Sequence, residues 1–385
     1  MTLGRFALAA ALVALLCGCQ TVTDAYDRVF GSSKPKIPEL TPIKPTATAA
    51  IRWQANVGGA DRSVFFPAVA GGVVYAAGRA GQIVGFDAAT GNRVSSFEAG
   101  ERLSAGVGVG NGLIMVGTDQ GELLAYNHKG RLAWKAKLSG ELLAPASAEQ
   151  GVVVARAGNN MIFGLNVGDG KQRWRYQRET PVLSVRAHAG VVLYHGGVFA
   201  GFAGGRLLAL ALPTGAVGWE GVVALPRGTT ELERVADVTS LPVVDSTQVC
   251  AVAFQGRIAC FDILRGTQRW ARAVSSSAGL AVDAAHIYVA DETGAVLALD
   301  KRTGASIWKQ SKLAGRELSG PLSLGSHVVV ADIEGYVHVL SRDNGAFEAR
   351  VATDGSAIAA PPVALDRTTF VVQTVNGGIF AIAVR

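Results

Sequence analysis

The sequence predicts an all-β protein: an eight-bladed β-propeller with four-stranded blades, closed by the N-terminal strand completing the last blade. Three observations predict it. A glycine followed four residues later by a tryptophan recurs at Gly130/Trp134, Gly170/Trp174, Gly215/Trp219, Gly266/Trp270 and Gly304/Trp308. A second glycine stands ten residues before the first at Gly205, Gly256 and Gly294, and nine before it at Gly121. Finally, the two chain ends carry complementary fragments of one unit. Units of about 40–50 residues with several short strands each are the mark of a propeller, because one unit cannot bury both faces of its sheet alone.

The clearest unit is Val289 to Trp308 (VADETGAVLALDKRTGASIW). A short apolar strand enters a turn at Gly294, and an alternating strand runs from Val296 to Leu299. An Asp-x-x-Thr-Gly turn spans Asp300 to Gly304, and a further strand carries Trp308. Two copies keep the glycines and lose the tryptophan. Gly81/Gly91 has Ser95 in that slot with Phe97 nearby; Gly335/Gly345 has Ala349 there with Phe347 nearby. The blades count off as 63–100, 101–138, 139–178, 179–223, 236–274, 275–314 and 315–353. The eighth is 354–385 completed by 51–57 (IRWQANV), which joins the chain ends and leaves no free edge. The tryptophans are expected to pack between blades, each N–H finding a partner.

Composition agrees. Only 17% of residues are charged, and 48 of 385 are glycine, which suits tight turns and short buried strands. Net charge is +6, with no Lys/Arg run of the kind that grips phosphates, so no nucleic-acid partner is expected.

Residues 1–18 read as a signal peptide, with Arg5 as its positive start and Phe6 to Leu16 as its apolar run. It ends in Leu16-Cys17-Gly18-Cys19, which resembles a bacterial lipobox with Cys19 as the lipidated residue. Gln20 rather than Asp follows it, which favours the periplasmic face of the outer membrane. A multiply acylated cysteine is a firm membrane anchor. Residues 19–50, with Pro35, Pro38, Pro42 and Pro45, read as an extended tether. The propeller is expected over 51–385.

Two stretches break the period. His195 to Gly205 (HGGVFAGFAGG) reads as a long glycine-rich connection in blade four, and Glu220 to Leu241 as a charged insertion between blades four and five. Insertions on propellers lie on the rims, where binding resides.

Little chemistry is legible. The six histidines lack metal-site spacing, and Ser306 and Lys309 lie three apart on a strand, facing opposite sides. The glycine-rich 106–112 opens no helix. Asp87, Asp262 and Asp300 precede repeat turns, where they cap local N–H groups. No catalytic, cofactor-binding or metal-binding residue is expected. Cys250 and Cys260 flank the Gln255-Gly256 turn, either as a disulfide or as two buried thiols.

The blade motif resembles that of pyrroloquinoline-quinone enzymes, where it is a fold signal. The whole chain, leader included, resembles the BamB family, the propeller lipoproteins of the outer-membrane β-barrel assembly machinery. Three stretches carry the resemblance. Pro181 to Arg186 (PVLSVR) is similar to the family's L-S-L-R segment. Gly228 to Val244 (GTTELERVADVTSLPVV) is similar to G-S-T-E-I-D-R-L-S-D-V-D-T-T-P-V-V. Glu334 to His338 (EGYVH) is similar to E-G-Y-L-H. The second is the most specific, because it lies in the non-repeating insertion.

The resemblance implies a scaffold without enzymatic activity or cofactor. It would dock on the periplasmic domains of the barrel-inserting subunit (BamA-like) and present nascent outer-membrane proteins. The matched docking positions are Leu183, Val185, Arg186 and Asp237. Thr239 stands where the family has a second acid. Arg186 would either meet the partner or pair internally with Asp237. Two alternatives stand beside the scaffold: a periplasmic quinone-dependent dehydrogenase, and a general envelope protein-binding propeller. Against the dehydrogenase, the chain has no adjacent Cys-Cys pair, no calcium-ligand cluster and little sequence beyond the blades.

Overall fold

Eight antiparallel four-stranded sheets follow one another along the chain. The computed structural model describes residues 37–385 apart from 180, 182 and 187. The signal peptide and Cys19 therefore lie outside the described residues. Blade one consists of Ala68–Ala70, Val73–Ala77, Gln82–Asp87 and Arg93–Glu98, and the same meander recurs in blades two to seven. Blade eight takes three strands from the C-terminal end and its outermost, Ala49–Asn56, from the N-terminal end. The ring is closed as the complementary ends require.

The apolar core is divided among the blade interfaces. Each of eight buried clusters draws on two neighbouring blades: Phe65, Ile83 and Tyr126 join blades one and two, and Trp53, Val74 and Ile379 join blades eight and one. The two middle strands of a blade are covered on both faces, so His286–Ala290 and Val296–Asp300 are buried almost throughout. The outer strand Ser306–Gln310 buries only Trp308. That difference is why the middle strands read as apolar runs and the outer ones as polar strands with one large ring.

A β-bulge precedes every tryptophan slot. Ala298 pairs with Trp308, but Leu299 pairs with Ser306, leaving Ile307 unpaired; the same shift occurs in the other seven blades. The bulge re-aims the ring toward the next blade. There the indole N–H donates to a turn carbonyl: Trp270 to Lys301 at 2.9 Å, Trp308 to Arg342 at 2.7 Å, Trp174 to Leu212 at 2.8 Å. The turn glycine lies flat against the ring. A Cβ on Gly304, whose φ is +74°, would sit 2.4 Å from Trp270. The preceding Asp300 caps this turn, accepting the Thr303 N–H at 2.8 Å and the Thr303 hydroxyl at 2.6 Å. In blade one Phe97 takes the ring's place against Gly130.

Blade seven has Ala349 in the tryptophan slot because blade eight has no such turn: its outer strand arrives from the other end of the chain. The N-terminal segment fills the space. The Thr46 and Ala47 N–H groups donate to the Glu348 carbonyl, and Arg350 donates to the Thr41 carbonyl at 3.1 Å. Leu40 packs on the interface of blades six and seven. The extended tether expected to reach residue 50 is thus corrected: Leu40–Arg385 is one compact unit, and its first strand starts at Ala49. The Thr46, Ala47 and Thr48 N–H groups, the Thr41 carbonyl and the Leu40 and Ala47 side chains are held by the propeller.

The stretch 195–205 is also corrected. Gly197–Phe202 is a regular strand. Its glycines serve close approach: a Cβ on Gly201 would lie 2.1 Å from Val238 of the insertion. Cys250 and Cys260 face each other directly, 4.1 Å apart at Cα, buried and joined by a disulfide.

Candidate docking site

The site is built from two segments whose described residues lie outside the sheets. Residues 177–191 link the outer strand of blade three to the inner strand of blade four, and residues 223–242 link blades four and five. The second begins with a capped turn. Thr230 Oγ1 accepts the Glu233 N–H at 3.2 Å, while the Glu233 carboxylate accepts the Thr229 and Thr230 N–H groups at 2.8 and 3.1 Å. This reciprocal box is the reason for Thr-x-x-Glu in the sequence. The Thr230 and Thr229 N–H bonds hold the Glu233 carboxyl down at about 2.

After that turn the chain dives inward. Ala236 and Val238 enter the interface of blades four and five. Asp237, between them, is 2% exposed. Its carboxylate accepts the Val185 N–H at 2.7 Å and the Gly204 N–H at 2.9 Å, and its carbonyl accepts the Phe254 N–H at 2.8 Å. One residue thus ties the 177–191 segment to turns of blades four and five. Thr239 is buried as well, its hydroxyl 3.5 Å from the Ser277 carbonyl.

The expected docking residues therefore divide. Leu183 and Arg186 are exposed and Val185 is half-buried. Asp237 and Thr239 are interior, which corrects their placement as surface contacts. The acid supports the presenting segment, because its oxygens are engaged by backbone donors. Arg186 does not pair with Asp237; it donates to Glu141, 45 residues away, at 2.7 Å.

Sequence reasoning missed Glu141, whose role depends on a spatial neighbour. It also missed the exposed leucines of the insertion, Leu225, Leu232 and Leu241. Their signal was present: apolar residues flanking a capped polar turn have no core to enter. Leu241 borders an axial cavity of about 780 Å³ whose wall also includes Phe66, Val185, Arg186 and Glu317. A second groove of about 470 Å³ runs between Ser184, Val185, Arg186 and Ala189 on one side and the blade-three turn at 156–160 on the other.

The third matched stretch, 334–338, has a different character. Asp332 is fully buried and accepts from Arg316 Nε at 2.7 Å and from His338 Nε2 at 2.9 Å. Arg350 Nε donates to His338 Nδ1 at 3.1 Å, which requires a neutral ring. Glu334 reaches Arg316 at 2.5 Å. This is an internal network at blade seven, adjoining the N-terminal segment through Arg350.

Fold and surface together define a propeller scaffold whose rim presents an apolar and cationic segment on a rigid support. The family model for outer membrane protein assembly factor BamB matches residues 79–310. The outer membrane protein assembly factor BamB of Nitrosomonas eutropha is 42% identical over 383 residues, covering 97% of this chain and 93% of the relative. The crystal structure of BamB from Moraxella catarrhalis superposes with a TM-score of 0.80 at 26% identity, over 87% of this chain and all of that one. The chain belongs to the BamB family of outer membrane protein assembly factors. The quinohemoprotein alcohol dehydrogenase of Comamonas testosteroni is similar in fold alone, with a TM-score of 0.69 at 11% identity, over 87% of this chain and 76% of that one.

Proposed function

We propose that this protein is a non-enzymatic scaffold of the outer-membrane β-barrel assembly machinery. It docks on the periplasmic domains of the barrel-inserting subunit through Leu183, Val185 and Arg186, and assists insertion of nascent outer-membrane proteins. Lipidated Cys19 holds it at the periplasmic face of the outer membrane. The observation that carries the reading is the Asp237 clamp: a buried carboxylate holds the Val185 amide, so Leu183 and Arg186 are presented from a fixed backbone. An apolar anchor beside an arginine on a rigid rim is the composition of a small hot spot.

Photo-crosslinking residues at Leu183 and Arg186, with exposed Ser306 as control, test it in intact envelopes. Adducts to the insertase at the first two positions only are expected. Equal labelling at Ser306, or no insertase adduct from the folded protein, would return the reading to a general envelope-binding propeller.

A further inference from the structure

Two arginines of the described propeller are buried, and their surroundings differ. Arg316, 1% exposed, pairs with Asp332 and Glu334. Arg156, 7% exposed, forms no ion pair among the described residues. Its guanidinium donates to the Ala189 carbonyl at 3.1 Å and to Asn160 Oδ1 at 2.6 Å, and stacks 4.8 Å from the Phe202 ring. All three partners are neutral. Burial pulls its pKa down to about 10, so the group is still a cation at neutral pH. A buried charge costs several kcal/mol unless an opposite charge meets it.

Arg156 borders the groove of about 470 Å³ beside the docking segment. The acid in that groove, Glu141, is taken by Arg186 at 2.7 Å. The groove thus carries two cations and one anion, with polar Ser184 and Asn159 also in its wall. Two acceptors engage Arg156, and a guanidinium has five N–H donors.

We propose that this groove is a subsite for a carboxylate side chain, with Arg156 as its buried cation. The occupant is an Asp or Glu on an extended segment of the docked protein. A protein source follows from continuity: Ser184, Val185 and Arg186 form the groove wall and belong to the docking segment itself. The subsite rests on the docking reading above and adds a second charge contact to it, deeper than Arg186.

The test is calorimetric titration of the full mature chain with the purified periplasmic domains of the insertase, at low and high salt. Arg156→Met is expected to weaken binding about tenfold, the scale of one charge-assisted hydrogen bond, and to flatten the salt dependence. Arg156→Lys is expected to recover part of both. Leu183→Ala serves as the docking control. Weakening by Leu183→Ala with none by Arg156→Met overturns the subsite and leaves docking intact. No effect of either overturns both.

Should Arg156→Met fail to fold, side-chain Nε–H spectra of the unaltered protein decide. Glutarate is expected to shift the Arg156 resonance saturably. A shift with inorganic phosphate but not glutarate, or with neither, overturns the carboxylate assignment.

Discussion

The Asp237 carboxylate reaches across 52 positions of sequence to accept the Val185 amide at 2.7 Å. The link between an interior acid and a rim segment shapes an exposed surface without exposing the charge that shapes it.

Asp237→Ala should therefore act through the backbone. It leaves the Val185 and Gly204 amides without their acceptor, at a cost of about 1–3 kcal/mol. Hydrogen exchange at both amides should accelerate and insertase binding should weaken together. Leu183→Ala, at an exposed position, should weaken binding with stability unchanged to about 0.5 kcal/mol. Equal exchange rates in Asp237→Ala and the parent would show that the clamp does not order the segment.

The indole-on-glycine contact predicts the stability of the blade seams. Gly304→Ala places a Cβ 2.4 Å from Trp270 in a left-handed backbone conformation. The conformation alone costs about 1–2 kcal/mol, and the displaced ring adds to it. Trp270→Phe removes only the hydrogen bond to Lys301 and part of the buried area, so a loss near 1–2 kcal/mol is expected. Urea unfolding of the two variants should rank Gly304→Ala as the worse.

The seam between blades seven and eight depends on the N-terminal segment. A chain starting at Ala49 should melt below one starting at Ile37, because Leu40 and the bonds to Glu348 and Arg350 are lost. Ala349→Trp should destabilise the longer chain, since the slot faces no turn glycine and the neighbouring space holds the segment. A melting temperature unaffected by truncation would show that the segment contributes nothing to closure.

The network at His338 predicts a pH dependence. Burial above all pulls the His338 pKa below the ordinary imidazole value. Between that depressed value and about 6.5, the unfolded chain binds a proton that the folded chain does not. Stability therefore falls as pH drops below about 6.5. Asp332 adds to the loss at lower pH. Burial alone would raise its pKa, but the hydrogen bonds from His338 and Arg316 outweigh that and hold it below the usual carboxylate range. His338→Gln should flatten the fall in stability just below about pH 6.5, as followed by chemical denaturation. Asp332→Ala should cost about 3 kcal/mol, because it removes the buried carboxylate that Arg316 and His338 share.

Local patterns made the blades legible. Gly304, Asp300 and Trp308 announce a turn, its cap and a seam through neighbours at most eight residues apart, and eightfold repetition turns a marginal unit into a ring. The stretch at 195–205 reads as a connection because glycine serves turns and close contacts alike: Gly201 lies in a strand, and what it accommodates is Val238, remote in sequence. The proposed docking residues were legible only by resemblance, since nothing in the period of the chain singles out Leu183 or Arg186.

By itself the sequence determined the architecture: the number of blades, the closure of the last by the first strand, and the place of each tryptophan. These follow from short-range spacing and from the need of every sheet to cover both faces. Only the tertiary structure decided the partners of charged and irregular parts. It buried Asp237 beneath Val185, gave Arg186 to Glu141, left Arg156 without an acid among the described residues, and laid residues 40–48 where blade eight lacks a turn. Each of these depends on which distant segments the closed ring brings within a few ångströms, a distance that no local spacing encodes.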